Sequence, residues 1–341
     1  MTPTRMLLLA IAALAACSGG LGRPPKGGQE GMSGEDKAAI ARIRGKLDGW
    51  IVWSSSRVGN HDIIVMKTDG SQVKQLTRGE HVDWYPRFDE AGKRILFTRG
   101  KVAGWVSEKD ANRPEKWDLY TIAFPDGGTP TRVVESASWG IWVGPDKILF
   151  SRQTKVLTRE LASGKEQLVV DSKQVPALGG ADLQNPHLSP DGNYLAITLR
   201  GAMRETGIYD IARKAWIKTG AGCQINWFPA GDRIYWVNPS GNGGSETFAV
   251  PVKQGKPTRD FSYDQMRFVD IPGRQSHEYF PQQDRGGKWL VWAATRRGHD
   301  HDIANYDIFI WQVGAPADQA ARLTFHSAND RWPDIYIPSG K

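Results

Sequence analysis

The segment Ser189–Ile197 (SPDGNYLAI) decides the fold, because it joins a polar turn to a short hydrophobic run and recurs along the chain. Asp and Gly favour the turn, and the run that follows is typical of a β-strand. Variants of this pattern stand at Asp89–Phe97 (DEAGKRILF), Gly144–Phe150 (GPDKILF), Ala230–Trp236 (AGDRIYW) and Asp284–Trp292 (DRGGKWLVW), and Ile51–Trp53 (IVW) repeats the run without its turn.

The repeat has a regular period. Successive equivalent residues are 39 to 56 positions apart, at Ile51, Ile95, Ile148, Leu195, Ile234 and Leu290. Such a period, with several short strands in each unit, is typical of β-propeller blades. The six units therefore predict an all-β protein, a six-bladed β-propeller of four-stranded antiparallel blades. The fourteen tryptophans are expected mainly in the core between blades.

The C-terminal segment Asp330–Tyr336 (DRWPDIY) repeats the pattern of the innermost strand Asp83–Phe88 (DWYPRF). A matching outer strand precedes each of them, at Gln75–Thr77 and Arg322–Thr324. The first blade has no innermost strand of its own. We therefore predict that the last strand completes the first blade and closes the ring, which hides the sheet edges.

The N-terminus has the pattern of a targeting segment. Arg5 precedes the apolar run Met6–Ala16, which is too short to span a bilayer, so residues 1–16 are predicted to be a signal peptide. The run ends in Leu14–Cys17 (LAAC), which resembles a bacterial lipobox and implies a lipid on Cys17; an ordinary signal peptide with a chance cysteine is the alternative. By resemblance to enterobacterial sorting, Ser18 favours the outer membrane, with the domain facing the periplasm.

The mature chain is predicted to have two parts. Residues 17–49 comprise the lipidated cysteine, a Gly- and Pro-rich tether and a short helix that Ser33 and Asp36 cap. Residues 50–338 form the propeller. The second cysteine, Cys223, is expected to be a buried thiol without a disulfide partner.

The distribution of charge along the sequence argues against nucleic acid as a partner. The formal net charge is +7, but the basic residues are interspersed with acidic ones and form no run that would grip nucleic acid. The lipid anchor is the only membrane attachment that the sequence predicts.

Several segments resemble the TolB-type propeller repeat, which is a WD40-like (PD40) repeat. They are Ser55–Ile64 (SSRVGNHDII), Lys67–Gly70 (KTDG), Asn185–Gly192 (NPHLSPDG) and Arg296–Gly298 (RRG). The resemblance implies a propeller whose face binds a protein partner of the cell envelope. TolB itself has an α/β domain before its propeller and is not a lipoprotein, so the role of that domain does not transfer. Similar repeats occur beside peptidase domains and in some pectate-fragment lyases.

Three innermost strands begin with an acidic residue, at Asp83, Glu278 and Asp330, each three positions before a proline. The blade order predicts an acidic arc at the mouth of the axial channel, with His81 and His277 beside it. The arc would bind a basic side chain of a partner or a divalent cation. The alternative is that each acid caps backbone amides or pairs with a repeat arginine.

Other polar features have structural alternatives as well. Arginines recur after the second strand of five blades and are expected to support the blades or the exposed rim: Arg57, Arg99, Arg152, Arg200 and Arg296. His299–Asp302 (HDHD) has metal-like spacing, but we expect it to be a solvated loop, with a metal site as the alternative. The insertions Gly100–Lys116 and Phe261–Ser276 are predicted to form additional rims of the binding face.

Motifs for catalysis are absent from the sequence. It contains no G-x-S-x-G nucleophile motif, no phosphate-binding loop and no dinucleotide motif. We therefore predict a non-catalytic protein-binding scaffold without a cofactor. The alternatives are a carbohydrate-active propeller, which binds an anionic glycan or cleaves it with the help of a metal, and a purely structural envelope lipoprotein.

Overall fold

The structure is a computed structural model that describes residues 28–338, except residues 203, 240–243, 259, 272–276, 297 and 299. The predicted signal peptide, Cys17 and most of the predicted tether lie outside the described residues. Within the described ranges, no helix is both long enough and apolar enough to cross a membrane.

Short β-strands account for most of the described chain. In chain order they are β1 (Trp50–Ser55), β2 (Asp62–Lys67), β3 (Lys74–Gln75), β4 (Asp83–Phe88), β5 (Arg94–Gly100), β6 (Trp117–Ala123), β7 (Thr131–Val134), β8 (Ser138–Gly144), β9 (Lys147–Arg152), β10 (Lys155–Glu160), β11 (Glu166–Asp171), β12 (Asp182–Leu188), β13 (Tyr194–Arg200), β14 (Arg204–Asp210), β15 (Ala215–Ala221), β16 (Cys223–Trp227), β17 (Arg233–Pro239), β18 (Ser245–Lys253), β19 (Lys256–Pro257), β20 (Arg267–Val269), β21 (His277–Gln283), β22 (Trp289–Thr295), β23 (Asp307–Gln312), β24 (Ala321–Arg322) and β25 (Asp330–Tyr336).

Helical segments are few and short. The α-helices of the described chain are α1 (Gly34–Ile43) and α2 (Tyr263–Met266). Single 3-10 turns occur at Glu108–Asp110, Pro114–Lys116, Ser172–Gln174, Pro176–Leu178 and Ala317–Gln319.

The strands assemble into antiparallel sheets arranged as a β-propeller. Four sheets have four strands each, in the orders β25-β1-β2-β3, β4-β5-β6-β7, β11-β10-β9-β8 and β12-β13-β14-β15. The remaining strands form one nine-stranded sheet. The all-β propeller prediction is confirmed, whereas only four of the predicted blades are separate four-stranded sheets.

The nine-stranded sheet unites the segments predicted as the fifth and sixth blades. Its two halves, β16-β17-β18 and β21-β22-β23-β24, are joined by parallel pairing of β18 with β21 at the single residue pair Ser245 and His277. The strand β20 also pairs with β18, so part of the predicted rim insertion Phe261–Ser276 belongs to the sheet. Residues 272–276 of that insertion lie outside the described residues.

The first sheet combines strands from both ends of the described chain. The strand β25 pairs antiparallel with β1, and the partners include Trp50 with Tyr336 and Ser55 with Asp330. As a result β1 lies between two neighbours, and β25 occupies the position of the innermost strand.

The recurring turn is held by its first polar side chain. The Asp89 carboxylate accepts a hydrogen bond from the backbone N–H of Arg94 at 3.1 Å, and the Asp284 carboxylate accepts one from Trp289 at 2.6 Å. At Gly92, φ is +61°, a conformation that glycine adopts without strain. The side-chain acceptor and the glycine explain why these residue types recur before each hydrophobic run.

The core lies within and between the sheets, as the tryptophan content predicts. Nine of the fourteen tryptophans are buried. Trp84 contacts Trp117 with ring centroids 5.5 Å apart, and Trp292 stacks on Phe309 at 5.5 Å. Large aromatic rings such as these bury much apolar surface and account for a large share of the hydrophobic stabilisation.

The helix α1 packs against the propeller. Ser33 and Asp36 form the predicted capping box, in which each side chain accepts a hydrogen bond from the backbone N–H of the other residue. Ala39, Ile40 and Ile43 are buried in the same hydrophobic cluster as residues of the propeller. The helix therefore belongs to the folded domain.

Candidate functional site

Each innermost strand contains a bulge and one non-glycine residue in the left-handed conformation. The pairing register shifts at this point in all six strands. The left-handed residues have φ between 54° and 62°, and they are Tyr85, Trp139, Asn185, Gln224, Phe280 and Trp332. Positive φ is costly for bulky side chains, so its recurrence at one position indicates a requirement of the architecture.

The six left-handed residues meet one another although they come from six strands. Tyr85 contacts Trp139 and Trp332 with ring centroids 5.1 Å apart in each case, and Phe280 contacts Trp332 at 4.1 Å. The Tyr85 hydroxyl donates to the Asn185 side chain. The Gln224 side chain accepts from the Phe280 backbone N–H at 2.6 Å. We call these six residues the axial plug, because they fill the centre of the propeller.

A cavity of about 610 Å³ lies against one side of the axial plug. It lies towards the ends at which the innermost strands begin, since Gln184 and Cys223 line it. Its lining includes four plug residues and several charged side chains, namely Trp139, Asn185, Gln224, Trp332, Glu108, Lys109, Arg200, Arg204, Asp300, His301 and Asp302. We call it the mouth cavity.

Two arginines give the mouth cavity a basic side. Arg200 and Arg204 are exposed, and neither forms a salt bridge with any described residue. Lys109 is also exposed, but it pairs with Asp300 at 2.7 Å. The side of the cavity formed by β13 and β14 therefore carries two positive charges that form no salt bridge with a carboxylate of the described residues.

The opposite side of the mouth cavity contains a buried ion pair. Glu108 accepts hydrogen bonds from the Arg331 guanidinium at 2.8 Å and from the Trp332 indole N–H at 3.0 Å. Burial raises the pKa of the Glu108 carboxyl from 4.5 to about 7, and Arg331 opposes this rise. The carboxyl group is thus held near its titration point at neutral pH.

The insertion Gly100–Lys116 positions Glu108 by reaching across the channel. The backbone N–H of Glu108 donates to the Asp302 carboxylate at 2.9 Å, and the Ser107 hydroxyl donates to the same carboxylate. On the other side, the Asn112 side chain accepts from Gln184 at 3.0 Å. The insertion was predicted as a rim; it also connects neighbouring sheets around the mouth cavity.

Two of the predicted binding acids are buried in ion pairs. Asp83 is 1% exposed, and the Arg99 guanidinium donates to both of its oxygens at 2.7 Å. Asp330 is fully buried and accepts from Arg57 at 2.9 Å and from the Ser55 hydroxyl. These carboxylates hold adjacent strands together, as the alternative interpretation of the repeat supposed.

The remaining predicted binding residues do not form an exposed arc either. Glu278 is fully buried, accepts from the Ile271 backbone N–H at 2.7 Å, and has its pKa raised well above the usual range by burial. His81 is half-buried and its Nδ1 hydrogen-bonds the Gly100 carbonyl at 2.7 Å, while half-buried His277 lies in β21 at the junction with β18. In this structure the three acids of the predicted arc are therefore buried and not exposed at the mouth of the channel.

The remaining polar predictions also resolve into structural contacts. In the HDHD segment, Asp300 pairs with Lys109 and Asp302 binds the insertion, while His299 lies outside the described residues. Among the described residues, no group of three or more His, Cys, Asp or Glu side chains is arranged to hold a metal ion. Cys223 is buried as predicted, and burial raises the pKa of its thiol to about 11.

Sequence reasoning missed the plug residues of the mouth cavity, although the insertion Gly100–Lys116 and the HDHD segment, which also line it, had been singled out. The plug position is occupied by Tyr, Trp, Asn, Gln, Phe and Trp in the six strands, so residue type gives no repeated signal. A proline directly follows Tyr85, Asn185, Phe280 and Trp332, and this spacing would have located the position. Arg200 was identified as one of the recurring arginines, but its lack of an acidic partner becomes evident only in three dimensions.

Comparison with known proteins identifies the fold. No family model matches the chain. A stretch of 48 residues is 35% identical to an uncharacterized protein of Agrobacterium fabrum and covers 14% of this chain and 16% of that protein. The chain thus matches far less than two thirds of that relative.

Solved structures give a broader match. A putative TolB from Agrobacterium tumefaciens is similar over 86% of this chain and 100% of its own, with 15% identity and a TM-score of 0.53. This chain has a TolB-like β-propeller fold. The Kuenenia stuttgartiensis hydrazine synthase is similar over 89% of this chain and 48% of its own, with 12% identity and a TM-score of 0.54. These identities establish a shared fold and carry no activity with them.

We expect Asp83→Asn to lower the free energy of unfolding by about 3–5 kcal/mol, because it leaves the Arg99 charge buried without its partner. The matched control is Asp146→Asn, whose carboxylate is 63% exposed and pairs with Arg94; it should cost at most about 1 kcal/mol. Denaturant unfolding of both variants measures the difference. Equal effects of the two substitutions would contradict the structural role of Asp83.

We expect Glu108 to make the protein less stable as the pH rises from 4.5 to about 7, because the folded state holds a proton that the unfolded chain has released. The variant Glu108→Gln lacks this proton equilibrium, so its stability should exceed that of the wild type increasingly across this range. Parallel profiles for wild type and Glu108→Gln would refute the assignment.

Proposed function

We propose that this protein is a lipid-anchored β-propeller of the cell envelope that acts as a non-catalytic binding scaffold. The observation that carries the proposal is the mouth cavity, which combines tryptophan rings with two exposed arginines that form no salt bridge within the described part of the chain. An open, partly basic concavity at the axis suits a protruding segment of an envelope protein with acidic side chains. The binding surface thus moves from the predicted acidic arc to the residues of this cavity.

We propose further that the propeller has six blades in a closed ring. The two halves of the nine-stranded sheet share one residue pair, and each half contributes its own plug residue, Gln224 or Phe280. Counting the halves separately gives six inner strands around the axis. The pairing of β25 with β1 supports closure of the ring at the first blade.

The proposed location rests on the N-terminal sequence. Leu14–Cys17 has the spacing at which a lipoprotein peptidase would cleave before Cys17, and Ser18 favours the outer membrane. The Gly- and Pro-rich residues 18–27 would then give the domain a flexible connection to a membrane on its periplasmic side. Gln29 and Glu30 already belong to the folded domain, since Gln29 forms a β-bridge with His326 and Glu30 pairs with Arg322.

We expect crosslinking mass spectrometry on intact envelopes of the native organism to recover a discrete protein partner, with crosslinks around the mouth cavity. The double variant Arg200→Glu and Arg204→Glu should lower its recovery by tenfold or more, since it reverses the charge facing the partner. The matched control, Lys165→Glu with Lys253→Glu, makes the same charge change at exposed positions outside the cavity and should bind normally. Recovery of no partner, or equal loss in both double variants, would refute the scaffold proposal.

We expect Cys17→Ser to move the protein from the membrane fraction to the soluble fraction and to abolish its labelling by a radioactive fatty acid. The sulfur of Cys17 is the proposed site of attachment, and serine offers no thiol to the lipid transferase. Fractionation tests the anchor separately from partner binding. Wild-type protein that takes up no label would refute the anchor and leave the scaffold proposal intact.

The volume of the mouth cavity supports a second candidate function. Small-molecule sites commonly have volumes of about 300–1,000 Å³, and the mouth cavity, at about 610 Å³, lies within that range. A carbohydrate-active propeller would bind an anionic glycan here through Arg200 and Arg204. Titration of purified protein with oligogalacturonate, with and without added divalent cations, distinguishes this candidate, because a scaffold for protein segments would show no saturable response.

A further inference from the structure

A second, smaller cavity lies at the other end of the axis. It has a volume of about 140 Å³. Five of its lining residues stand two positions after a plug residue in their strands, at Arg87, Ile141, His187, Gln282 and Asp334. These residues follow the bulges at which the plug residues lie, and they form a second layer along the channel, beyond the axial plug. We call this space the basal cavity.

Arg87 is the unusual member of this layer. It is 4% exposed, and its guanidinium lies over the Tyr85 ring with the central carbon 3.8 Å from the ring centroid. Its Nη1 donates to the Pro86 carbonyl at 2.7 Å. Its Nε and Nη2 are buried and have no hydrogen-bond partner among the described residues.

Nε and Nη2 form the edge through which an arginine side chain commonly binds a carboxylate with two parallel hydrogen bonds. This protein uses the same edge elsewhere, since Nε and Nη2 of Arg99 each donate to one oxygen of Asp83 at 2.7 Å. Arg87 has the same buried edge in a cavity, without a carboxylate of the described chain bound to it. Buried polar groups normally have a partner, because an unmet hydrogen bond there is costly.

Other polar groups of the basal cavity also lack a partner in the described chain. His187 is 6% exposed, and its Nε2 makes no hydrogen bond with a described residue. The same holds for both side-chain polar atoms of Gln283, which lies at the edge of the cavity. Burial and the nearby Arg87 lower the pKa of His187 to about 3, so the imidazole is neutral. It would contribute a hydrogen bond and no charge.

The charges around the basal cavity allow an anion to enter. Asp334 is the acidic group of the second layer, but its carboxylate accepts from the Phe88 backbone N–H at 2.8 Å and forms no salt bridge with Arg87. Burial raises the pKa of the Asp334 carboxyl, and the charge of Arg87 opposes this rise. The acid Asp89 is paired with Arg94, and the base Arg285 is paired with Glu90.

We propose that the basal cavity is a carboxylate-binding site in which Nε and Nη2 of Arg87 hold the two carboxylate oxygens and His187 adds a hydrogen bond. The volume suits a group the size of acetate, either as a free small acid or as the end of an acidic side chain. The site lies at the opposite end of the axis from the mouth cavity, so it does not rest on the proposed function.

Acetate is the probe that tests this site. Purified protein is titrated with sodium acetate and, at equal ionic strength, with sodium chloride, while the unfolding midpoint and the heat of binding are measured. The wild type should show a saturable stabilisation by acetate that chloride does not produce. Arg87→Lys, which keeps the charge but removes the two-nitrogen edge, should bind acetate about tenfold or more weakly. The control Arg132→Lys, at a side chain that is 52% exposed and lies outside the basal cavity, should bind within about twofold of the wild type.

A second measurement uses only the wild-type protein, so it remains informative if the Arg87→Lys variant fails to fold. In wild-type protein, carbon-13-labelled acetate should show nuclear Overhauser contacts with the ring protons of His187 and Tyr85. A response to acetate no greater than to chloride would overturn the proposal and indicate that water satisfies Arg87. Unchanged acetate binding in folded Arg87→Lys would also overturn it.

The source of the carboxylate is distinguished by a peptide. A blocked tripeptide with one central glutamate is titrated in the same way as acetate. Tighter binding of the peptide than of acetate would assign the site to an acidic protein segment. Tighter binding of acetate would assign it to a free small acid, and either result supports the carboxylate site.

Discussion

The architecture depends on the left-handed residue in each innermost strand. Side chains along a regular strand point alternately to its two faces. At each bulge, the residue with positive φ departs from this alternation, and the six side chains concerned meet at the axis. Strain at a single residue costs on the order of 1–3 kcal/mol, so it persists only where surrounding contacts offset it. Here the offset comes from aromatic packing and from hydrogen bonds such as that between Phe280 and Gln224. The plug in turn separates the two cavities at either end of the channel.

Part of this organisation could be predicted from the sequence. The turn residues and hydrophobic runs act locally, through contacts such as the Asp89 carboxylate with the N–H of Arg94, and local chemistry repeats visibly along the chain. The pairing of β25 with β1 was also predictable, because the two inner-strand segments share one pattern. The union of β18 with β21 was not, since it depends on how closely two neighbouring strands approach.

The candidate site shows where sequence reasoning stops. Asp83, Glu278 and Asp330 drew attention because they recur at one position, yet recurrence in a repeat protein reflects a recurring structural task. Each carboxylate is buried and hydrogen-bonded within the protein, although Oε2 of Glu278 has no hydrogen-bond partner among the described residues. The groups available to a ligand are instead cavity-lining side chains without a carboxylate partner among the described residues, such as Arg200 and Arg87. Finding them requires knowing which side chains are neighbours in the folded protein, and the spacing of residues along the sequence does not reveal this.

The pairing of β25 with β1 also limits the order in which the protein can fold. Trp50 and Tyr336 are partners although almost the whole described chain lies between them. Contacts between such distant segments form slowly, because a large loop must close before they contribute any stability. The first sheet therefore stays incomplete until β25 has been synthesised. Until then, the edge of β1 that pairs with β25 has no partner strand. This arrangement delays complete folding, which would help a chain that must cross a membrane in the unfolded state.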